Sequence, residues 1–146
     1  MGKRRRAREL ALQFLYQYDA LHGSSPDIQG LEEQLSFFLD RNGISMQAET
    51  KEFCTALAAG TCKNLPHIDE ILGQFSEHWR LSRMSSIDRN IMRLSVYELI
   101  YLSNIPPAVT INEAVELGKR YGTEESGAFI NGILDKIRIA RDKGEI

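Results

Sequence analysis

At 146 residues the chain is of single-domain size and long enough to bury a sizeable core. With 42% apolar and 26% charged residues its composition is that of an ordinary soluble protein, and no apolar run approaches the roughly 20 residues of a membrane span. The net charge of −2 conceals a strong asymmetry: Lys3, Arg4, Arg5, Arg6 and Arg8 put +5 in the first eight residues, and 13 bases against 20 acids leave −7 over the rest.

The basic start continues into helical periodicity. Arg4 and Arg8 are one turn apart, and Ala7, Leu10, Ala11, Phe14, Tyr18 and Leu21 repeat at helix spacing. The arm therefore reads as the opening of an amphipathic helix, ending at the turn signal His22-Gly-Ser-Ser-Pro26. Cations at a helix N-terminus oppose the macrodipole, so its first turn is expected to fray when unbound. The charged start resembles that of a signal peptide, but no apolar segment or small-residue cleavage site follows, and the chain is expected in the cytoplasm.

A second helix carries Leu31, Leu35, Phe38 and Leu39 and stops at Asn42-Gly43. A third spans about Ala48 to Leu65, with Phe53, Leu57, Ala58 and Thr61 on one face. Pro66 suits the first turn of a short helix bearing Ile68, Ile71, Leu72 and Phe75. Ser85-x-x-Asp88 reads as a capping box before Ile87, Ile91, Leu94 and Tyr97, and that helix ends ahead of Pro106-Pro107. Thr110-x-x-Glu113 is a second box, opening a helix with Ala114, Val115 and Leu117 that closes at Gly122. A last helix carries Phe129, Ile130, Ile133, Leu134 and Ile137. No alternating strand pattern competes, so the fold class is all-α with about seven helices, dividing near Trp79 to Ser82. Two small packed bundles and a single irregular bundle fit this pattern equally well.

Little in the chain suggests catalysis. It has no glycine-rich phosphate loop and no nucleophile elbow. Cys54 and Cys62 fit buried reduced thiols, and His22, His67 and His78 lack metal-ligand spacing. Glu113 and Glu116 fall on one helix, but a cap role for Glu113 and a Glu116–Arg120 ion pair account for them. A binding module fits better: the arm with Tyr16 and Tyr18, and Lys119-Arg120-Tyr121-Gly122, interleave cations with aromatics as single-stranded RNA recognition requires. For Tyr18 a place at the edge of the core is the stronger reading.

Four stretches together resemble the NusB family: Arg4 to Tyr16 (RRRARELALQFLY), Ile87 to Glu98 (IDRNIMRLSVYE), Val109 to Leu117 (VTINEAVEL) and Phe129 to Asp135 (FINGILD). Between Gly23 and Asn64 the match is in helical character alone. The resemblance implies one domain over 1–146, with an N-terminal bundle of about 1–80 and a C-terminal bundle of about 81–146. It implies no cofactor and no reaction. It implies binding to the boxA single-stranded RNA of ribosomal-RNA leader transcripts as a complex with NusE, a small-subunit ribosomal protein. That complex joins RNA polymerase and other Nus factors in an assembly that resists termination. Some family members also self-associate as homodimers.

By that resemblance Arg4, Arg5, Arg6 and Arg8 match the arginine-rich RNA motif, and Tyr16 an aromatic beside it. Glu125, Ser126 and Phe129 match the loop and helix start that complete the RNA surface, with Glu125 where most members have Asp. Asp88, Glu98, Pro107, Asn112 and Glu113 match the NusE-facing surface, and their acidity fits a basic partner. Three other readings stay open: a scaffold without RNA contact, a detached NusB-like domain of an RNA methyltransferase, and a DNA-binding helical regulator using Arg83 to Arg93. The apolar face of that last segment and the lack of a methyl-donor fold weigh against the latter two.

Overall fold

The computed structural model describes residues 2–23, 28–43, 46–76 and 81–146. Among them are seven α-helices: α1 (Lys3–His22), α2 (Leu31–Asn42), α3 (Ala48–Lys63), α4 (Leu65–Phe75), α5 (Ser86–Tyr101), α6 (Pro107–Tyr121) and α7 (Ser126–Asp142). A 3₁₀ turn, Leu81–Arg83, precedes α5. The all-α reading holds. Trp79, His78 and the Ser24 to Pro26 part of the first turn signal lie outside the described residues.

The helix boundaries follow local chemistry. Ser85 caps α5, its Oγ accepting from the Asp88 amide at 3.1 Å. The return half of that capping box is not made, and the Asp88 Oδ1 atom is buried without a hydrogen-bond partner. The second expected box is corrected: α6 starts three residues earlier, at Pro107. A proline at the first helical position has its φ already set and no amide to satisfy, so the helix opens there. Thr110 is consequently inside α6, where its Oγ1 donates to Glu98 Oε1 at 3.0 Å.

Two apolar clusters share the interior. One gathers Ala7, Leu10 and Phe14 of α1 with Leu31 and Leu35 of α2, Leu57 of α3 and Leu94 of α5. The other gathers Ile68 and Leu72 of α4 with Ile91 of α5, Ala114 of α6 and Ile130 and Leu134 of α7. Ile68, Ile71 and Leu72 of α4 thus pack in one cluster with α5–α7 and with Leu12 of α1. α5 contributes Leu94 to the first cluster and Ile91 to the second, which makes it the shared central helix.

A buried polar network locks α1, α4 and α5 together. Asp19 accepts from Arg89 Nη2 at 2.7 Å and Asn90 Nδ2 at 3.0 Å, and lies 3.1 Å from Arg93. Arg93 in turn donates from Nε and Nη2 to Asp69, both at 2.8 Å. Burial acts to raise the Asp19 pKa, but these donors more than offset it and hold the carboxyl below its usual range.

Candidate nucleic-acid interface

The start of α1 and the C-terminal half of α6 flank a cleft of about 300 Å³ lined by Arg5, Arg8, Glu9, Glu113, Glu116, Leu117, Lys119 and Arg120. At its base, Arg8 Nε and Nη2 donate to both Glu98 oxygens, at 2.8 and 2.7 Å. The Arg8 side chain is 4% exposed and that of Glu98 1%. Higher up, Arg5 Nε and Nη2 make the same forked pair with Glu113, at 3.0 and 2.6 Å. The hydrogen bonds and charge of Arg5 hold the Glu113 carboxyl below its ordinary pKa, and Glu113 raises that of Arg5 in return.

The expected arginine motif therefore divides in two. Arg5 and Arg8 have their forks filled by acids of α6 and α5. Arg4 is exposed, its guanidinium 4.7 Å from the centre of the Phe53 ring. Arg6 is exposed and stands 3.9 Å from Glu9. These contacts hold the cationic first turn, which is helical from Lys3.

Across the cleft, Arg120 Nη1 donates to Glu9 Oε2 at 2.5 Å, and the Tyr121 hydroxyl donates to the same oxygen at 2.8 Å. The expected Glu116–Arg120 pair is replaced by this contact, and Glu116 instead faces Lys119 at 3.7 Å. The cap role expected for Glu113 is likewise replaced by its pairing with Arg5. In both cases an acid or base finds a better-placed partner on another helix than on its own. Beside the cleft, Tyr16 and Tyr121, each 46% exposed, line a groove of about 220 Å³ with Arg6, Glu9, Leu12, Gln13 and Ile87.

The turn into α7 adjoins the end of α6. The Thr123 amide donates to Ser126 Oγ at 2.9 Å, and Thr123 Oγ1 donates to Glu125 at 3.1 Å. Glu125 is exposed. Ser126 is 1% exposed and Phe129 is partly buried against the C-terminal cluster, so these two shape the turn from beneath.

The residues expected to face a protein partner are spread along α5 and the first half of α6. Asp88 sits in the first turn of α5 and Pro107 opens α6 beyond the other end of that helix. Thirteen residues at 1.5 Å each separate Asp88 from Tyr101 by about 20 Å. Asn112 is exposed, whereas Glu98 is buried and Glu113 is engaged with Arg5. Two of the three acids thus have their charge balanced within the chain.

Glu9 and Phe53 escaped the sequence reading as site residues. Arg6 and Glu9 at i,i+3 was the available signal for Glu9; nothing local links Phe53 to Arg4, 49 positions away. Cys54 and Cys62 are buried, and burial pushes both thiols up to about 12. Among the described residues no three His, Cys, Asp or Glu side chains group to hold a metal, and no helix is long and apolar enough to cross a membrane.

A sequence model of the NusB family matches residues 5–138. The transcription antitermination protein NusB of Desulfosudis oleivorans is 47% identical over 137 residues, 94% of this chain and 86% of that protein. NusB of T. maritima superposes with a TM-score of 0.81 at 39% identity, covering 98% of this chain and 97% of that one. A crystal structure of the antitermination factors NusB and NusE in complex with double-stranded RNA matches with a TM-score of 0.80 at 29% identity, covering 96% and 98%. A matched segment spanning both helices of the cleft, and relatives this similar over nearly the whole length, place the chain in the NusB family.

Proposed function

We propose that this protein is a transcription antitermination factor that binds boxA single-stranded RNA of ribosomal-RNA leader transcripts together with NusE. It acts by binding, joining an assembly with RNA polymerase and other Nus factors that reads through terminators. The observation that carries the RNA-binding part is the run of exposed cations and aromatics on both sides of the α1–α6 cleft. Exposed Lys119 and Arg120 line it, exposed Arg6 stands in the adjoining groove with Tyr16 and Tyr121, and exposed Arg4 lies on the same first turn of α1. Single-stranded RNA matches this surface because its phosphates meet guanidinium groups while splayed bases stack on rings.

The RNA contacts we assign are Arg4, Arg6, Tyr16 and Glu125 from the motif positions, with Arg5, Arg8, Ser126 and Phe129 supporting them. Glu125 repels phosphate, so it reads a base edge or limits affinity. Asp88, Pro107 and Asn112 are assigned to the NusE-facing side, with Glu98 and Glu113 holding that side against α1.

The test is fluorescence anisotropy of a short boxA-like RNA and a scrambled control, with and without NusE, over a salt series. Lys3, Arg4, Arg6, Lys119 and Arg120 supply about five phosphate contacts, so the log–log salt slope should lie near −3.5. Preference for boxA, sharpened by NusE, supports the proposal. Equal binding to both RNAs refutes sequence-selective recognition. No salt-dependent binding leaves the scaffold reading.

A further inference from the structure

Glu9 is chemically out of place. It is an acid on the RNA-facing helix, 6% exposed, in the middle of the cationic surface. Its Oε2 takes the Arg120 Nη1 and Tyr121 hydroxyl donors, and Arg6 stands 3.9 Å from its Oε1. All three partners are about half exposed, so an incoming phosphate reaches them from solvent while Glu9 holds them from beneath. The carboxylate is fixed by its helix, whereas the guanidinium of Arg120 is carried on a long flexible stem.

We propose that Glu9 is a built-in competitor for RNA phosphate, holding Arg120 and Tyr121 in the unbound protein and setting the affinity and release rate of RNA. The proposal rests on the RNA-binding reading above. In the free state Glu9 supplies the anion that Arg120 needs. Binding swings Arg120 from Glu9 to a phosphate and leaves a nearly buried carboxylate with fewer donors, which opposes the complex. Arg5 and Arg8 differ in kind, because their acids fill the whole fork of each guanidinium. On Arg120 Glu9 takes Nη1, and the Nε and Nη2 donors remain to receive phosphate as it arrives.

Glu9→Gln keeps an acceptor for Arg120 and Tyr121 and removes the charge. It should tighten RNA binding by about two- to fivefold, what an ion pair of this exposure is worth. Glu9→Asp keeps the charge but shortens its reach, and should shift affinity the same way by less. In an Arg120→Gln background Glu9→Gln should bring no gain. The measurement is the anisotropy titration of wild type and these four variants at several salt concentrations, with thermal melts to establish folding. RNA binding that Glu9→Gln leaves unchanged or weakens overturns the competitor role alone. A wild type without salt-dependent RNA binding overturns the RNA reading and this role with it.

Discussion

Arg8 and Glu98 meet through two hydrogen bonds of 2.8 and 2.7 Å, ninety positions apart in the chain and almost fully shielded from solvent. Thr110 Oγ1 adds a third donor to the same carboxylate, so α1, α5 and α6 converge on one charged group. An arginine that sits within an RNA-binding sequence pattern is thereby an internal tie.

Removing one partner of that tie should be far worse than removing both. Arg8→Ala or Glu98→Ala strands a buried charge and should cost about 3–5 kcal/mol of unfolding free energy. Replacing the two together by apolar residues, as in Arg8→Met with Glu98→Leu, should recover most of that loss. Urea denaturation of the two single variants and the double variant checks this; equal losses in all three would contradict it.

The arm arginines should separate by salt dependence. Arg4→Ala and Arg6→Ala should each make the RNA salt slope shallower by about 0.7 and leave urea midpoints nearly unchanged. Arg5→Ala should lower stability through loss of the Glu113 pair and move the slope less. Anisotropy and denaturation on the same preparations give both readouts.

Acid should unfold the protein through Asp19 and Glu113. Both carboxyls have folded pKa values below their ordinary 3.8 and 4.5, so the native state binds fewer protons than the unfolded chain as pH falls. Their contribution is complete above the unfolded values and is lost as pH drops through the folded ones. Thermal melts should therefore be flat in this contribution above about pH 5 and fall below it. Asp19→Asn should lower the neutral-pH melting temperature and flatten the acid limb; an unchanged limb would remove Asp19 from the cause.

Gly122 ends α6 where there is no room for a side chain. A Cβ there would come within 2.7 Å of the Ser126 Cβ and 2.8 Å of the Gly118 carbonyl oxygen. Gly122→Ala should displace Ser126, break its bond from the Thr123 amide and cost about 1–3 kcal/mol. RNA affinity should fall with the loop's geometry, whereas Gly132→Ala, inside α7 with nothing within 4 Å, should raise stability by about 0.5–1 kcal/mol and leave RNA affinity unchanged. Denaturation and anisotropy of the two variants make the comparison.

The sequence by itself determined the helices, because apolar spacing, prolines and caps act within a turn or two of each residue. Leu31 to Leu39, Ser85 with Asp88, and Pro66 all placed elements that the structure contains. It also determined the membership in the family and the cationic start of α1. Only the tertiary structure decided what each charge does. Arg4, Arg5, Arg6 and Arg8 are nearly indistinguishable as letters, yet their places on α1 bring them to a ring, to Glu113, to solvent and to Glu98. With α6 opening at Pro107 rather than Thr110, the Thr110 hydroxyl meets a buried acid on α5 instead of capping its own helix. Partners of that kind lie from 12 to 111 positions away, and local pattern carries no record of which helix will lie alongside which.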